Sequence, residues 1–353
     1  MRYKTYTLNE LVQIKYGKNQ KEVVSNKGDI PIYGTGGLMG YATKYLYNKP
    51  SVLIGRKGTI DKVKYVDHPF WTVDTLFYTI VNIDLVIPKY LYYVMSQIDL
   101  TLYNEGTTIP SLRVDTLNRL ELEIPSVEIQ KKILSYLAPI DEKIVLNQLL
   151  NKNLEEQVSA IYQSYFGNFK FATEGKNQNW NYQEFSTIAH ISSGKRPQLN
   201  SKIHNQKTPI PIVGATSVMG FTSEPNYNDK ILIIGRVGTH GIVQRITSPC
   251  WASDNTLVIT SPYYEFVNQI LHRIDYSSIN RGSTQPLITQ KDMKTLLVLV
   301  PNEKILMQFE EIASSLMAQC ELNKNENLQL SHLRDTLLPK LISGELDVSA
   351  LDI

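Results

Sequence analysis

The chain has 353 residues, 42% of them hydrophobic and 20% charged, the balance of a globular protein with real cores, and its length points to two or three domains. A formal net charge of +2 argues against a uniformly basic nucleic-acid binder but leaves local basic patches open. The N-terminus is polar and no apolar run reaches the roughly 18 residues that span a bilayer, so neither a signal peptide nor a membrane segment is expected and the reading is cytoplasmic.

Taken in order, the chain repeats itself. Gly17-Lys18 returns as Gly194-Lys195. Ile30, Pro31, Ile32, Gly34, Met39 and Gly40 return at one offset as Ile210, Pro211, Ile212, Gly214, Met219 and Gly220. Gly55, Arg56, Gly58, Thr59, Trp71 and Asp74 follow at that same offset as Gly235, Arg236, Gly238, Thr239, Trp251 and Asp254. Each copy then has a small-residue loop, Gly106-Thr107-Thr108-x-Pro110 or Gly282-Ser283-Thr284-Gln285-Pro286, and a proline, Pro125 or Pro301, before a long helical stretch.

Within each copy the β-branched runs Ser51 to Ile54, Lys230 to Ile234, Thr75 to Val81, Thr256 to Ile259, Leu120 to Ile124 and Leu296 to Val300 predict strands. Pro88 to Ile98 and Pro262 to Ile274 begin with proline and carry apolar residues at helical spacing, predicting one short helix per copy. Each globular unit is therefore mixed α/β, about 125 residues, and large enough for a core of its own.

The stretches after the prolines carry apolar residues in alternating steps of four and three. The first series is Ile133, Leu137, Ile140, Ile144, Asn147, Asn151, Leu154, Val158, Ile161 and Tyr165. The second is Ile305, Phe309, Ile312, Leu316, Gln319, Asn323, Glu326, Leu330, Leu333 and Leu337. Both are apolar at their ends and polar in the middle. Antiparallel packing sets Asn147 and Asn151 against Asn323 and Glu326, a polar layer that fixes register, unless the middle is simply solvated. Pro139 predicts a kink or break, leaving about 40 Å of helix beyond it, and Gly167 and Gly344 are the stops. The expected fold is two mixed α/β units separated by two long helices packed as an antiparallel coiled coil, with an internal pseudo-two-fold repeat. Its parts are residues 1–126, a helix over 127–167, residues 168–302, a second helix over 303–345 and a tail over 346–353.

Catalytic constellations are missing. There is no Gly-x4-Gly-Lys-Ser/Thr phosphate loop, no Pro-Pro dipeptide and so no Asn/Asp-Pro-Pro-aromatic methyltransferase motif, and no Gly-x-Gly-x-x-Gly after a strand. Asp141 with Lys143 reads as a solvated helical pair. Two cysteines, Cys250 and Cys320, without metal-type spacing predict buried free thiols, and the scattered histidines imply no metal. What remains is binding.

The candidate contacts are residues on the repeated loops. Arg56, with Lys57, and Arg236 sit on glycine-bracketed turns from which a guanidinium reaches a phosphate or a guanine edge, or instead pairs with Asp74 or Asp254. Lys18, Lys21, Lys195 and Arg196 suit phosphate positioning, or are merely solubilising. Thr107, Thr108, Ser283, Thr284 and Gln285 offer small donors to phosphates or base edges, or cap their own turn. Trp71 and Trp251 read as core.

In this order the residues resemble the specificity subunit of type I restriction-modification systems over nearly the whole chain. The resemblance rests on the Gly-Arg-x-Gly-Thr turn with its following aromatic and Asp74 or Asp254, on the Gly-Ser/Thr-Thr-x-Pro loop, and on Pro125 with Gln130 and Pro301 with Gln308 opening the helices. The ending Leu337-Leu338-Pro339-Lys340-Leu341-Ile342-Ser343-Gly344-Glu345-Leu346 is particularly close. It implies two target-recognition domains, each reading half of a split double-stranded DNA sequence, with the helices as a ruler near one duplex turn of about 34–36 Å. It also implies two methyltransferase (M) subunits that carry S-adenosylmethionine and modify adenine, with optional ATP- and Mg-dependent restriction (R) subunits, and no cofactor, metal or membrane on this chain. No motif of the family transfers base-reading residues. Two other readings stand beside it: a two-headed coiled-coil scaffold for protein partners, and the specificity component of a system whose methylation and cleavage reside in one fused partner.

Overall fold

The structure is a computed structural model that describes residues 2–167, 180–237, 241–279, 281 and 287–349. It divides into two compact units, Met1–Asn147 with Asn325–Ile353, and Gln148–Lys324. Each holds one repeat and a length of both long helices, which run Val127–Tyr162 and Glu303–Ser343.

In the first unit β1 (Tyr3–Thr7) pairs antiparallel with β9 (Glu121–Pro125), so the segment before the long helix is tied to the start of the chain. A four-stranded antiparallel sheet follows the order β2 (Val12–Tyr16), β8 (Leu76–Val81), β5 (Ser51–Gly55), β6 (Val63–Val66). A smaller sheet places β4 (Gly37–Ala42) and the short parallel strand β7 (Trp71–Thr72) on either side of β3 (Ile30–Gly34). Successive side chains of β5 point to opposite faces. Val52 and Ile54 enter the main core with Leu8, Leu11, Phe77 and Tyr90, while Leu53 joins Phe70 and Leu76 on the other side. A strand buried on both faces explains why Ser51–Gly55 is apolar without alternation.

The second unit repeats the plan. Here β10 (Asn181–Glu184) pairs with β18 (Leu297–Val300), and the larger sheet runs β11 (His190–Ser193), β17 (Thr256–Thr260), β14 (Ile231–Gly235), β15 (Val243–Ile246). The smaller one places β13 (Val218–Thr222) and β16 (Trp251–Ala252) around β12 (Ile210–Val213). The short helices are Pro88–Ser96, with proline in its first turn, and Tyr264–Leu271, which starts two residues after Pro262.

Within each unit the two long helices run antiparallel. In the first, Arg334 donates to Asp141 at 3.0 Å and Asn147 donates to Glu326 and Asn327 at 2.7 and 2.9 Å. In the second, Asn323 donates to Asn151 at 2.8 Å, and Asn151 in turn to the Cys320 carbonyl at 3.2 Å. Asn147, Asn151 and Asn323 are buried and bonded rather than solvated. The Asn147 amide holds the Glu326 carboxyl below its ordinary range.

Several expectations are corrected. The first helix runs past Pro139 unbroken, so of the kink or break expected there the break does not occur, and the second runs past Pro339 likewise. The second seam slips: Ile312, Gln319 and Leu333 are exposed, whereas Leu306, Ala313, Cys320, Leu338 and Leu341 are buried. Small Ala313 and Cys320 carry little hydrophobic signal yet face the unit's core. Asp141 is no solvated partner of Lys143, since it takes the Tyr93 hydroxyl at 2.5 Å as well as Arg334, while Lys143 meets Glu326 at 3.3 Å.

The helices are keyed to their units by polar side chains that bond to main-chain groups. Gln130 is fully buried, accepts from the Ile87 amide at 2.8 Å and donates to the carbonyls of Leu85 and Pro125. Gln308 has no such place and is exposed. On the second helix Glu310 serves instead, accepting from the amides of Glu265 and Phe266 at the start of Tyr264–Leu271.

Candidate nucleic-acid interface

The repeated loops converge on one edge of the first unit. Gly17 follows β2, and a Cβ there would lie 2.0 Å from the Val73 carbonyl oxygen, so only glycine permits the close approach. The Lys18 amide donates to Thr72 at 2.8 Å and its carbonyl accepts the Trp71 indole N–H at 2.9 Å. The half-buried tryptophans thus also clamp the lysine loops, because an indole needs a partner for its N–H, while Trp71 packs against the core of Val23, Ile32, Ala42 and Val73. Lys18 and Lys21 are exposed, the latter in a turn closed by Asn19.

The Arg56 turn lies against the small-residue loop. Leu112 donates to the Arg56 carbonyl at 2.9 Å and Gly58, at φ +89°, donates to Pro110 at 2.9 Å. The Arg56 guanidinium lies 5.1 Å from the centre of the Tyr16 ring and donates to the main-chain carbonyl of Asp74 at 3.0 Å. The alternative of a pairing with Asp74 is met only by this carbonyl contact, which holds the arginine without neutralising it. Lys57, Thr107 and Thr108 are exposed beside it. The amide side chain of Asn104, bonded to Gly106 and Ser111, closes the Gly106 loop in place of the threonine hydroxyls.

The second unit builds the same frame with other residues. A Cβ on Gly194 would lie 2.0 Å from the Ser253 carbonyl oxygen, Lys195 donates to Ala252 at 2.9 Å, and Trp251 donates to the Lys195 carbonyl at 2.6 Å. Lys195 and Arg196 are exposed, and half-buried Arg236 is tied through its main chain to Asn255 and Ile288. Where the first unit has Tyr16, the second has Ser193, whose hydroxyl accepts from Gln290 at 2.8 Å. Ser283, Thr284 and Gln285 lie outside the described residues, as do Gly238 and Thr239.

Tyr16 and Asn104 escaped the sequence reading. Repeat comparison offers no signal for Tyr16, since its counterpart is a serine. The tryptophans did recur, but their N–H bonds become visible only with the loops folded. Among the described residues no group of three or more histidine, cysteine, aspartate or glutamate side chains is placed to hold a metal.

Two copies of one α/β module, each rooted on paired helices and each with an edge of exposed cations on rigid glycine loops, define a protein that reads nucleic acid. The family model for the type I restriction modification DNA specificity domain matches residues 2–156 and again 177–332, so the chain belongs to that family and is a DNA specificity subunit of a type I restriction-modification system. It is 26% identical over 348 residues to the type I restriction enzyme MjaIX specificity subunit of Methanocaldococcus jannaschii, covering 87% of this chain and 80% of that one. It is 21% identical to the HindI specificity subunit of Haemophilus influenzae, covering 78% and 81%. The crystal structure of the S subunit from M. genitalium shares the fold, with a TM-score of 0.61 over 97% of this chain and 96% of that one at 19% identity. The reading as a scaffold without DNA recognition is not favoured by these likenesses. Among the described residues no helix is long and apolar enough to cross a membrane.

Proposed function

We propose that this specificity subunit reads a bipartite, asymmetric double-stranded DNA target, each unit reading one half, and performs no chemistry itself. The observation that carries this is one loop frame built twice, Gly17-Lys18 on Trp71 and Gly194-Lys195 on Trp251, around different neighbours, Tyr16 with Arg56 in one unit and Ser193 with Gln290 in the other. A shared frame supplies sequence-independent phosphate contact, and differing neighbours read different bases. In this reading two methyltransferase subunits bring S-adenosylmethionine and modify adenine. Restriction subunits, where present, bring ATP and Mg, and this chain holds none of these cofactors. The complex would work in the cytoplasm, where the DNA is.

The test is methylation mapping by single-molecule sequencing of DNA from cells expressing this chain with its neighbouring methyltransferase, against cells expressing the methyltransferase alone. A split, asymmetric motif that needs this chain is the expected result. A stable complex that yields no new motif overturns the proposal.

A further inference from the structure

The hairpins that carry the repeated Met-Gly residues have no part in the interface so far. In the first unit the hairpin of β3 and β4 presents Leu38 and Met39, 53% and 59% exposed, and in the second that of β12 and β13 presents Val218 and Met219, 51% and 41% exposed. Single exposed apolar side chains need no explanation. Here the same pair stands at the same place in both repeats, and the methionine is seated the same way. A Cβ on Gly34 would come within 2.3 Å of the Met39 sulfur, and one on Gly214 within 2.5 Å of the Met219 sulfur, so the absence of a side chain at each glycine makes room for the thioether.

These tips continue the cationic edge. A Cβ on Gly58, in the Arg56 turn, would lie 3.7 Å from the Thr35 hydroxyl at the bend of the first hairpin. In the second unit the Lys202 ammonium donates to the Met219 carbonyl at 3.3 Å, which sets a cation beside the apolar tip. Both β4 and β13 end their sheets, and beyond them the described residues place only the isolated bridges of Val24 to Ala42 and Ser201 to Phe221, away from the tips.

We propose that the two hairpin tips are base-reading elements, Leu38 with Met39 for one half-site and Val218 with Met219 for the other, packing on thymine methyl groups in the major groove. This rests on the DNA interface proposed above. The surrounding lysines and Arg56 are attracted to phosphates whatever the sequence, whereas an uncharged, branched or thioether side chain gains only where the duplex offers apolar surface. In the major groove that surface is the thymine C5-methyl.

The test uses the full chain with its methyltransferase and two variants, Leu38→Gln and Val218→Gln. Leu38→Gln is expected to relax or alter one half of the methylated motif and Val218→Gln the other, each weakening binding to the native target about tenfold, as for loss of a buried aliphatic contact. The salt dependence of binding should stay as in the native chain, because no phosphate contact is lost. In synthetic duplexes, deoxyuridine in place of thymidine at the altered positions should weaken the native chain and leave the variant unmoved. Melting temperature is read alongside, and Leu38→Thr, whose β-branched side chain suits a strand, replaces Leu38→Gln if that variant melts lower. An unchanged motif with both variants overturns the inference while leaving the proposed function standing. So does loss of methyltransferase co-purification with DNA binding intact, which would make the tips a protein contact. A native chain that confers no motif overturns both.

Discussion

The Trp71 indole donates to the main-chain carbonyl of Lys18 at 2.9 Å, and Trp251 makes the same bond to Lys195. A side chain that is only half-buried therefore decides where a basic loop sits in each unit. Trp71→Phe keeps an aromatic ring, though a smaller one, and deletes the donor. It is expected to cost about 1 kcal/mol, to speed amide exchange over 17–21, and to weaken binding at one half-site only. Hydrogen exchange with and without target DNA checks this, and an unaltered loop would refute the clamp.

Arg56 rests on Tyr16 and on the Asp74 carbonyl, not on the Asp74 carboxylate. Arg56→Ala should therefore cost only about 1 kcal/mol of stability, and Asp74→Asn should cost nothing measurable. If the guanidinium meets a phosphate, the slope of log affinity against log salt falls by about 0.9 in Arg56→Ala. Filter binding across a salt series reads the slope, and urea titration reads the stability.

Asn323 donates to the Asn151 side-chain oxygen inside the second unit, and both residues are buried. Replacing one alone by leucine leaves the other amide without its partner and should cost about 1–3 kcal/mol. The double variant Asn151→Leu with Asn323→Leu should recover most of that loss, as in a double-mutant cycle. A double variant whose cost equals the sum of the two single costs would show that the pair does not couple.

Arg245 lies between Glu265, which is 2% exposed, and Glu321 at 3.1 Å. Burial pushes the Glu265 carboxyl up even with the arginine beside it. Arg245→Ala strands that carboxylate and should cost about 3–5 kcal/mol, whereas Arg245→Met with Glu265→Leu should be close to neutral. Urea unfolding of the three proteins decides between a needed pair and a replaceable one.

Cys250 and Cys320 are free and buried. Burial pushes the Cys250 thiol up to about 11, so at pH 8 the reactive thiolate is scarce in the native chain. Because the native value is raised, the stability this thiol contributes is fully present below the ordinary thiol range and is lost progressively from there as pH rises through about 11. Alkylation at pH 8 should be slow in the native protein and complete in denaturant. Fast labelling of the native chain would contradict the burial.

The repeat, the mixed α/β class of each unit and the two long helices are legible in the order of residues, because a glycine that must admit a backbone and an apolar residue at helical spacing each leave a local mark. The same holds for Gly17 and Gly194, whose missing Cβ atoms are required by carbonyls 2.0 Å from where they would sit. Which face of the second helix is buried depends on packing, since Ala313 and Cys320 outrank the more hydrophobic Ile312 and Leu333 through what they pack against. Tertiary structure also decides that Arg56 stacks on Tyr16 and that Trp71 holds Lys18. Those contacts join residues far apart in the chain, and an ion, a ring and a carbonyl choose partners by distance and direction, which the order of residues does not record.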